Sequence, residues 1–164
     1  MTDYMTDIIY IWFERSKIDY GDLYLRLYIS YNAWFRKATQ TAVDREAVTN
    51  LKKRFIIWDD FLRGRTLEGL GSVMRQIQER GDIEAYDDWK GLISFWYKTR
   101  CDLFHGALQP TDESVKLAYE SLSIFMGEIV RRMKQYNHLG SYFSRDIWNV
   151  DMERVIKRQT LYSS

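Results

Sequence analysis

This chain contains a single proline, Pro110, so almost all of its sequence is free to form uninterrupted helices. A proline inside a helix removes one backbone hydrogen bond and clashes with the preceding turn, so proline-poor chains suit long helices. Apolar side chains recur every three to four positions through most of the chain, which is the spacing of a helical face. No stretch alternates convincingly between apolar and polar residues, as a half-buried strand would. The sequence therefore predicts an all-α fold, a single up-and-down bundle of about five helices with short connections.

The helical spacing also predicts where the helices lie and which of them is central. The segment over residues 21–38 is apolar over most of its circumference, which predicts that it packs in the middle of the bundle. We predict one domain over residues 1–164, with its core at about 21–135 and a C-terminal loop and short helix within 136–164. The predicted helices of the core cover residues 21–38, 44–62, 67–80, 87–104 and 112–135, and the short helix covers 147–161.

The composition narrows the class of protein. Apolar residues make up 46% and aromatic residues 16% of the 164 residues, which is enough to form a hydrophobic core. The 24 basic and 23 acidic side chains nearly cancel, whereas a protein that coats duplex DNA is usually far more basic. A single cysteine, Cys101, excludes a disulfide within the chain and favours a reducing compartment. The apolar run at residues 8–13 is too short to span a membrane and follows acidic residues, so we expect a cytoplasmic protein without a membrane partner.

The predicted helix over residues 87–104 carries one charged side chain, Arg100, on a stripe that is otherwise apolar. Burying an unpaired guanidinium costs several kcal/mol, so we expect Arg100 to pair with a carboxylate, reach an opening, or bind an anion. Asp102 or an acidic residue on another helix can supply the carboxylate, and such a structural pair is the commoner role for an arginine of this kind. The apolar members of the stripe are Trp89, Ile93, Trp96 and Leu103.

His105 lies five positions after Arg100, immediately before Gly106. In an unbroken helix the Arg100 and His105 side chains would lie roughly 140° apart around the axis. Gly106 can adopt the left-handed conformation that ends a helix, which would leave His105 in the terminal turn or at the cap. There the negative end of the helix dipole favours the protonated imidazole. An imidazole beside a guanidinium suits phosphate chemistry, although a histidine before a glycine is often only a helix cap.

The stretch TRCDLFHG, residues 99–106, resembles the R-x4-6-H signature of the HEPN superfamily (higher eukaryotes and prokaryotes nucleotide-binding). The segment LYISYNAWF, residues 27–35, is similar to an early helix of several HEPN families, in which an Asn-Ala pair follows an aromatic run. The order of the predicted helices agrees with this resemblance, because the motif lies between two long helices late in a small bundle. The resemblance covers about residues 21–135, and its specific part is TRCDLFHG.

The resemblance implies a metal-independent endoribonuclease that uses no cofactor. In HEPN ribonucleases two protomers pair, so that the Arg and His of each line one composite cleft. Arg100 would then hold the scissile phosphate and stabilise the charge that develops on it. His105 would act as general base or acid, leaving 2′,3′-cyclic phosphate and 5′-hydroxyl ends. The implied partners are a second copy of the chain, an RNA substrate, and an antitoxin or other regulatory protein, as expected of a toxin or defence effector.

Two positions depart from the patterns of active HEPN families. Cys101 follows the arginine where active members usually carry Asn, Asp or His, and Asp102 comes one place later. Ala107 stands where a tyrosine lies in members that a nucleotidyltransferase antitoxin modifies, so control of that kind is not expected. Two alternatives stay open. One is a non-catalytic HEPN-like module that binds an anion or nucleotide through Arg100, and the other is an unrelated bundle with Arg100 in an ion pair.

Several polar residues are candidates for supporting roles. Asp102 can orient Arg100 or His105, while Asn32 can brace the turn that carries them or bond to a neighbouring helix. Basic side chains can follow an RNA backbone, although most such residues are solvated helix faces. The candidates for RNA binding are Lys52, Lys53, Arg54, Arg131 and Arg132. Two histidines and one cysteine do not make a zinc site, so no metal site is predicted.

Overall fold

The computed structural model describes residues 8–13, 17–53 and 68–138, and within these ranges every regular element is a helix. A helical segment at residues 8–13 precedes the longer helices of the bundle. These are α1 (Tyr20–Thr39), α2 (Asp44–Lys52), α3 (Glu68–Glu79), α4 (Trp89–Phe104) and α5 (Glu113–His138). The prediction of an all-α helical bundle is confirmed.

The predicted bounds agree closely with those of α1, α3, α4 and α5. Helix α2 begins at Asp44 as predicted but ends at Lys52, and Lys53 is its C-terminal cap. The rest of the predicted 44–62 helix lies outside the described residues, as does the predicted short helix at 147–161.

Local hydrogen bonds explain where the helices begin and end. Asp88 caps the start of α4, because its side chain accepts a hydrogen bond of 2.8 Å from the Gly91 amide. Gly81 follows two residues after the end of α3 and has a φ of +81°. The Asp82 amide then donates to the Ile77 carbonyl at 3.2 Å, which completes a Schellman motif. These signals are local in the sequence, which is why the spacing of residues predicts the ends well.

Helix α1 packs against α2, α4 and α5, and helix α5 packs against α1, α3 and α4. One side of α1 stays open, since Ile29 is 70% exposed. The predicted central position is one that α1 shares with α5, and the apolar spacing does not separate Ile29 from the buried residues of α1. The buried aromatic residues of α1 are Tyr24, Tyr28, Tyr31, Trp34 and Phe35.

An aromatic cluster from three helices forms the middle of the core. Tyr31 of α1, Trp96 of α4 and Phe125 of α5 are buried, with ring centres 5.3, 5.5 and 6.3 Å apart. The Trp96 indole donates to the Ser121 hydroxyl at 2.8 Å, and that hydroxyl donates to the Leu117 carbonyl at 2.7 Å. Because these buried polar groups are paired, they hold α4 on α5 without an unsatisfied donor. The C-terminal half of α4, which carries Arg100, thus has a rigid support.

Candidate functional site

Helix α4 ends in a Schellman motif that determines the position of His105. His105 is the C-terminal cap of the helix, and its amide donates to the Cys101 carbonyl at 3.0 Å. Gly106 follows with a φ of +71°, which glycine adopts without a steric penalty. The Ala107 amide donates to the Asp102 carbonyl at 2.8 Å and closes the motif. The prediction that Gly106 ends the helix and leaves His105 at its cap is confirmed.

The Arg100 guanidinium contacts two aromatic rings that belong to different helices. Its Cζ atom is 5.0 Å from the ring centre of Phe104 on α4 and 5.9 Å from that of Tyr28 on α1. Arg100 is partly buried, Tyr28 is buried, and Phe104 is 69% exposed. Both contacts have cation–π geometry, and a guanidinium held over a ring keeps N–H donors for other partners. Among the described residues, the contacts of the Arg100 guanidinium are thus with aromatic rings and not with an acid.

No carboxylate of the described residues lies within ion-pair distance of Arg100. Asp102, a candidate partner, pairs with Lys98 at 2.5 Å. Asp44 at the start of α2 pairs with Arg36 at 2.6 Å. Of the three expectations for Arg100, pairing with a carboxylate is thus not met within the described ranges. An opening to solvent or a bound anion remains.

The Asp44 carboxylate is a fixed negative charge in the neighbourhood of Arg100. It accepts hydrogen bonds of 2.6 and 2.9 Å from Arg36. Burial alone would raise the pKa of Asp44, but these hydrogen bonds and the positive charges of Arg36 and Arg100 outweigh it and lower the pKa. Asn32 lies close enough to this carboxylate to help lower its pKa, and no hydrogen bond joins Asn32 to Arg100 or His105.

Buried phenols on the inner side of Arg100 stay neutral. Burial raises the pKa of Tyr24 and of Tyr28, so both hydroxyls are protonated at neutral pH. The Tyr24 hydroxyl donates to the Trp96 carbonyl, whereas the Tyr28 hydroxyl has no hydrogen-bond partner in the described part of the chain. A neutral, poorly hydrated surface on one side of a guanidinium strengthens its attraction for an anion on the other side.

The His105 imidazole is exposed, and it makes no hydrogen bond or ion pair with any residue that the structure describes. Arg100 contacts Tyr28 of α1, whereas His105 is the exposed C-terminal cap of α4. No hydrogen bond joins the two side chains. The fold brings Arg100 and His105 to one end of α4, and the imidazole is accessible there to a ligand or to a second chain.

The residues predicted to bind RNA have different surroundings. Lys53 is exposed and Lys52 is partly buried at the end of α2. Arg131 donates hydrogen bonds of 2.6 and 2.8 Å to the buried Glu128 carboxylate, so its guanidinium is already paired with an acid of the same helix. Arg54 and the side chain of Arg132 lie outside the described residues.

Sequence reasoning missed Tyr28, Phe104 and Asp44 as neighbours of Arg100. Tyr28 has the ordinary spacing of a core residue, and Phe104 looks like one more apolar residue of the motif. A usable signal is the large aromatic residue placed directly before His105 at a predicted helix end. No local pattern indicates Asp44, because the charges around it come from α1 and α4.

Features of other functional classes are also absent from the described ranges. No three His, Cys, Asp or Glu side chains come together there as ligands for a metal ion. No helix in those ranges combines the length and the apolar character needed to cross a lipid bilayer. Comparison of the chain with protein-family models, curated proteins and solved structures finds no match.

Proposed function

We propose that the chain is a metal-independent endoribonuclease of the HEPN type that works as a homodimer through Arg100 and His105. The observation that carries the proposal is the state of Arg100, a partly buried guanidinium with no carboxylate partner among the described residues. Such a charge costs desolvation energy, which a phosphodiester bound by the guanidinium would offset. The resemblance of TRCDLFHG to the HEPN signature supports RNA as the source of that phosphodiester.

In the proposed reaction Arg100 holds the scissile phosphate and stabilises the negative charge that develops on its oxygens. One His105 takes the proton of the ribose 2′-hydroxyl, whose oxygen attacks phosphorus and forms the 2′,3′-cyclic phosphate. The bond from phosphorus to the 5′-oxygen breaks, and a second histidine protonates the leaving oxygen. One chain carries one His105, so the twofold copy supplies the second histidine.

The exposed side of α1 is a suitable surface for the second copy. Ile29 follows Tyr28 in the chain and is 70% exposed, so it offers apolar surface beside the helix that holds Arg100. We expect Ile29→Glu to convert a dimer to a monomer in analytical ultracentrifugation, while Val130→Glu on α5 leaves the dimer intact. A wild-type protein that is monomeric at all concentrations would contradict the composite site.

A ribonuclease of this kind acts where RNA is present, and we propose a toxin or defence effector of the cytoplasm that an antitoxin restrains. Expression of the wild-type chain in a bacterial host should slow growth, and His105→Ala should relieve the effect. His138→Ala, which removes the other histidine of the chain, is the matched control and should leave the toxicity unchanged.

The decisive experiment measures cleavage of a labelled single-stranded RNA in the presence of EDTA. Arg100→Ala and His105→Ala should each lower the rate by about 100- to 10,000-fold with folding intact. Arg75→Ala is the control for Arg100→Ala, because Arg75 also contacts an aromatic ring, at 5.5 Å from Tyr86. Cleavage that requires a divalent metal, or that survives His105→Ala, would overturn the proposal.

A non-catalytic anion-binding module is the second candidate. The observation that favours it is Cys101 at the position after the arginine, where active HEPN members usually carry Asn, Asp or His. This candidate predicts no cleavage at all, but binding of a short RNA strand that Arg100→Ala abolishes and His105→Ala leaves intact.

A further inference from the structure

Phe104 is the last residue of α4 and exposes 69% of its surface, whereas Phe95 and Trp96 of the same helix are buried. The Arg100 guanidinium covers part of the ring at 5.0 Å, and most of what remains faces solvent. Leaving a large aromatic ring in water at the end of a helix forgoes the stabilisation that its burial would give. An exposed ring beside a guanidinium that has no carboxylate partner among the described residues is therefore a candidate for ligand contact.

We propose that Phe104 stacks a nucleobase of the strand whose phosphate Arg100 binds, so that the two side chains together form a subsite for one nucleotide. The inference rests on the proposed function for the identity of the strand. A phosphodiester matches the guanidinium in charge and hydrogen bonding, and a base matches the phenyl ring in shape and polarisability. Because Arg100 already lies against the ring, a stacked base extends an existing cation–π contact.

This arrangement selects for unpaired nucleotides. A base that stacks on Phe104 has to leave its own helix, which a single strand or a loop permits and a duplex resists. Stacking on a phenyl ring is tolerant of base identity, so Phe104 favours single strands over duplexes without a strong sequence preference.

Phe104 has two other roles to be distinguished from base stacking. In the first, the ring only shields Arg100 from water, and its loss then changes stability and not affinity for single strands. In the second, the ring is a contact between two copies of the chain, and its loss then changes the oligomeric state. Each role gives a different result in the measurements below.

The experiment measures binding of a short, fully 2′-O-methylated RNA strand, which lacks the 2′-hydroxyl needed for cleavage, by fluorescence anisotropy. The same strand annealed to its complement is the duplex probe. Phe104→Leu removes the ring and keeps apolar bulk, while Phe104→Trp keeps an aromatic ring. Tyr86→Leu is the matched control, because Tyr86 is a 54% exposed aromatic residue that contacts a different arginine, Arg75.

We expect Phe104→Leu to weaken binding of the single strand by about 10- to 100-fold, with little change for the duplex. Phe104→Trp and Tyr86→Leu should bind the single strand as tightly as the wild type. Single-strand binding that is unchanged in Phe104→Leu, or equally weakened in Tyr86→Leu, overturns the subsite. So does a loss of affinity that coincides with a change in sedimentation or in the circular dichroism spectrum.

Cleavage of an unmodified strand separates this inference from the proposed function. A wild type that binds through Phe104 and does not cleave supports the nucleotide subsite and overturns the endoribonuclease. A wild type that cleaves while Phe104→Leu binds and cleaves equally well supports the endoribonuclease and overturns the subsite. A wild type that does not bind the single strand overturns the subsite.

Discussion

The backbone amide of Gly21 donates to the Pro110 carbonyl at 3.1 Å, which joins the first turn of α1 to the loop that follows His105. The contact is close, since a Cβ atom on Gly21 would lie 2.7 Å from the Pro110 Cβ and 3.0 Å from its Cα. The loop between α4 and α5 is therefore held against α1, the same helix that supplies Tyr28 to Arg100. Helix α1 therefore contacts both Arg100, through Tyr28, and the loop that follows His105, through Gly21.

Gly21→Ala should lower the free energy of unfolding by about 1–3 kcal/mol, because the added methyl group overlaps the Cβ of the Pro110 ring and crowds its Cα. Gly127→Ala is the control, since no described atom lies within 4 Å of a Cβ at that exposed position in α5. There alanine should raise the free energy of unfolding by about 0.5–1 kcal/mol through its better helix propensity. Urea denaturation followed by circular dichroism measures both changes. Equal effects of the two substitutions would show that the Gly21–Pro110 contact is not as close as described.

Removal of the Tyr24 and Tyr28 hydroxyls should have opposite effects on stability. The Tyr24 hydroxyl donates to the Trp96 carbonyl, so Tyr24→Phe should cost about 0.5–1.5 kcal/mol and leave that carbonyl without this donor. The Tyr28 hydroxyl is buried and has no partner in the described ranges, so Tyr28→Phe should stabilise the fold by about 1 kcal/mol. Thermal unfolding by calorimetry tests the pair. A destabilised Tyr28→Phe variant would mean that this hydroxyl bonds to a group outside the described residues.

Asp44→Asn should reduce stability in a pH-dependent way. The pKa of Asp44 is lower in the folded chain than its ordinary value, so the carboxylate stabilises the fold above the unfolded pKa of about 4. This contribution is lost as the pH falls through the folded pKa. The difference in unfolding free energy between wild type and Asp44→Asn should therefore be largest near pH 7 and shrink below about pH 4.

The matched control for that measurement is Asp22→Asn, whose ion pair with Arg26 is well exposed on both sides. Such pairs contribute little, so Asp22→Asn should change the pH profile of unfolding only slightly. Urea midpoints measured from pH 3 to pH 7 give the comparison. If the difference in unfolding free energy between the wild type and Asp44→Asn stays constant over this range, the lowered pKa of Asp44 is contradicted.

Arg100→Ala should cost little stability. The substitution breaks two cation–π contacts, each worth about 0.5–1 kcal/mol, and leaves no carboxylate of the described residues without its partner. Removal of one partner from a buried ion pair would instead cost about 3–5 kcal/mol. Denaturant unfolding distinguishes the two cases. A loss in the higher range would favour the unrelated bundle in which Arg100 has a structural pair.

The sequence predicted the parts of the site that depend on neighbouring residues. The position of His105 at the end of α4 follows from Gly106, because only a residue without a Cβ adopts a positive φ at no steric cost. The position of Arg100 as the one charged side chain on an apolar stripe follows from the spacing of its apolar neighbours on one helix. Neither prediction needs knowledge of another helix.

The sequence by itself thus determined the class of fold, the ends of α3 and α4, and the presence of one guanidinium on an apolar stripe. Only the tertiary structure decided that Tyr28 and Phe104 contact that guanidinium, that Arg36 bonds to Asp44, and that Ile29 faces solvent. The physical reason is that helix formation and capping depend on contacts within a few residues, which periodicity reveals. Which side chains meet between helices depends on how the helices pack. A helix that is apolar over most of its circumference does not specify which of its sides is covered.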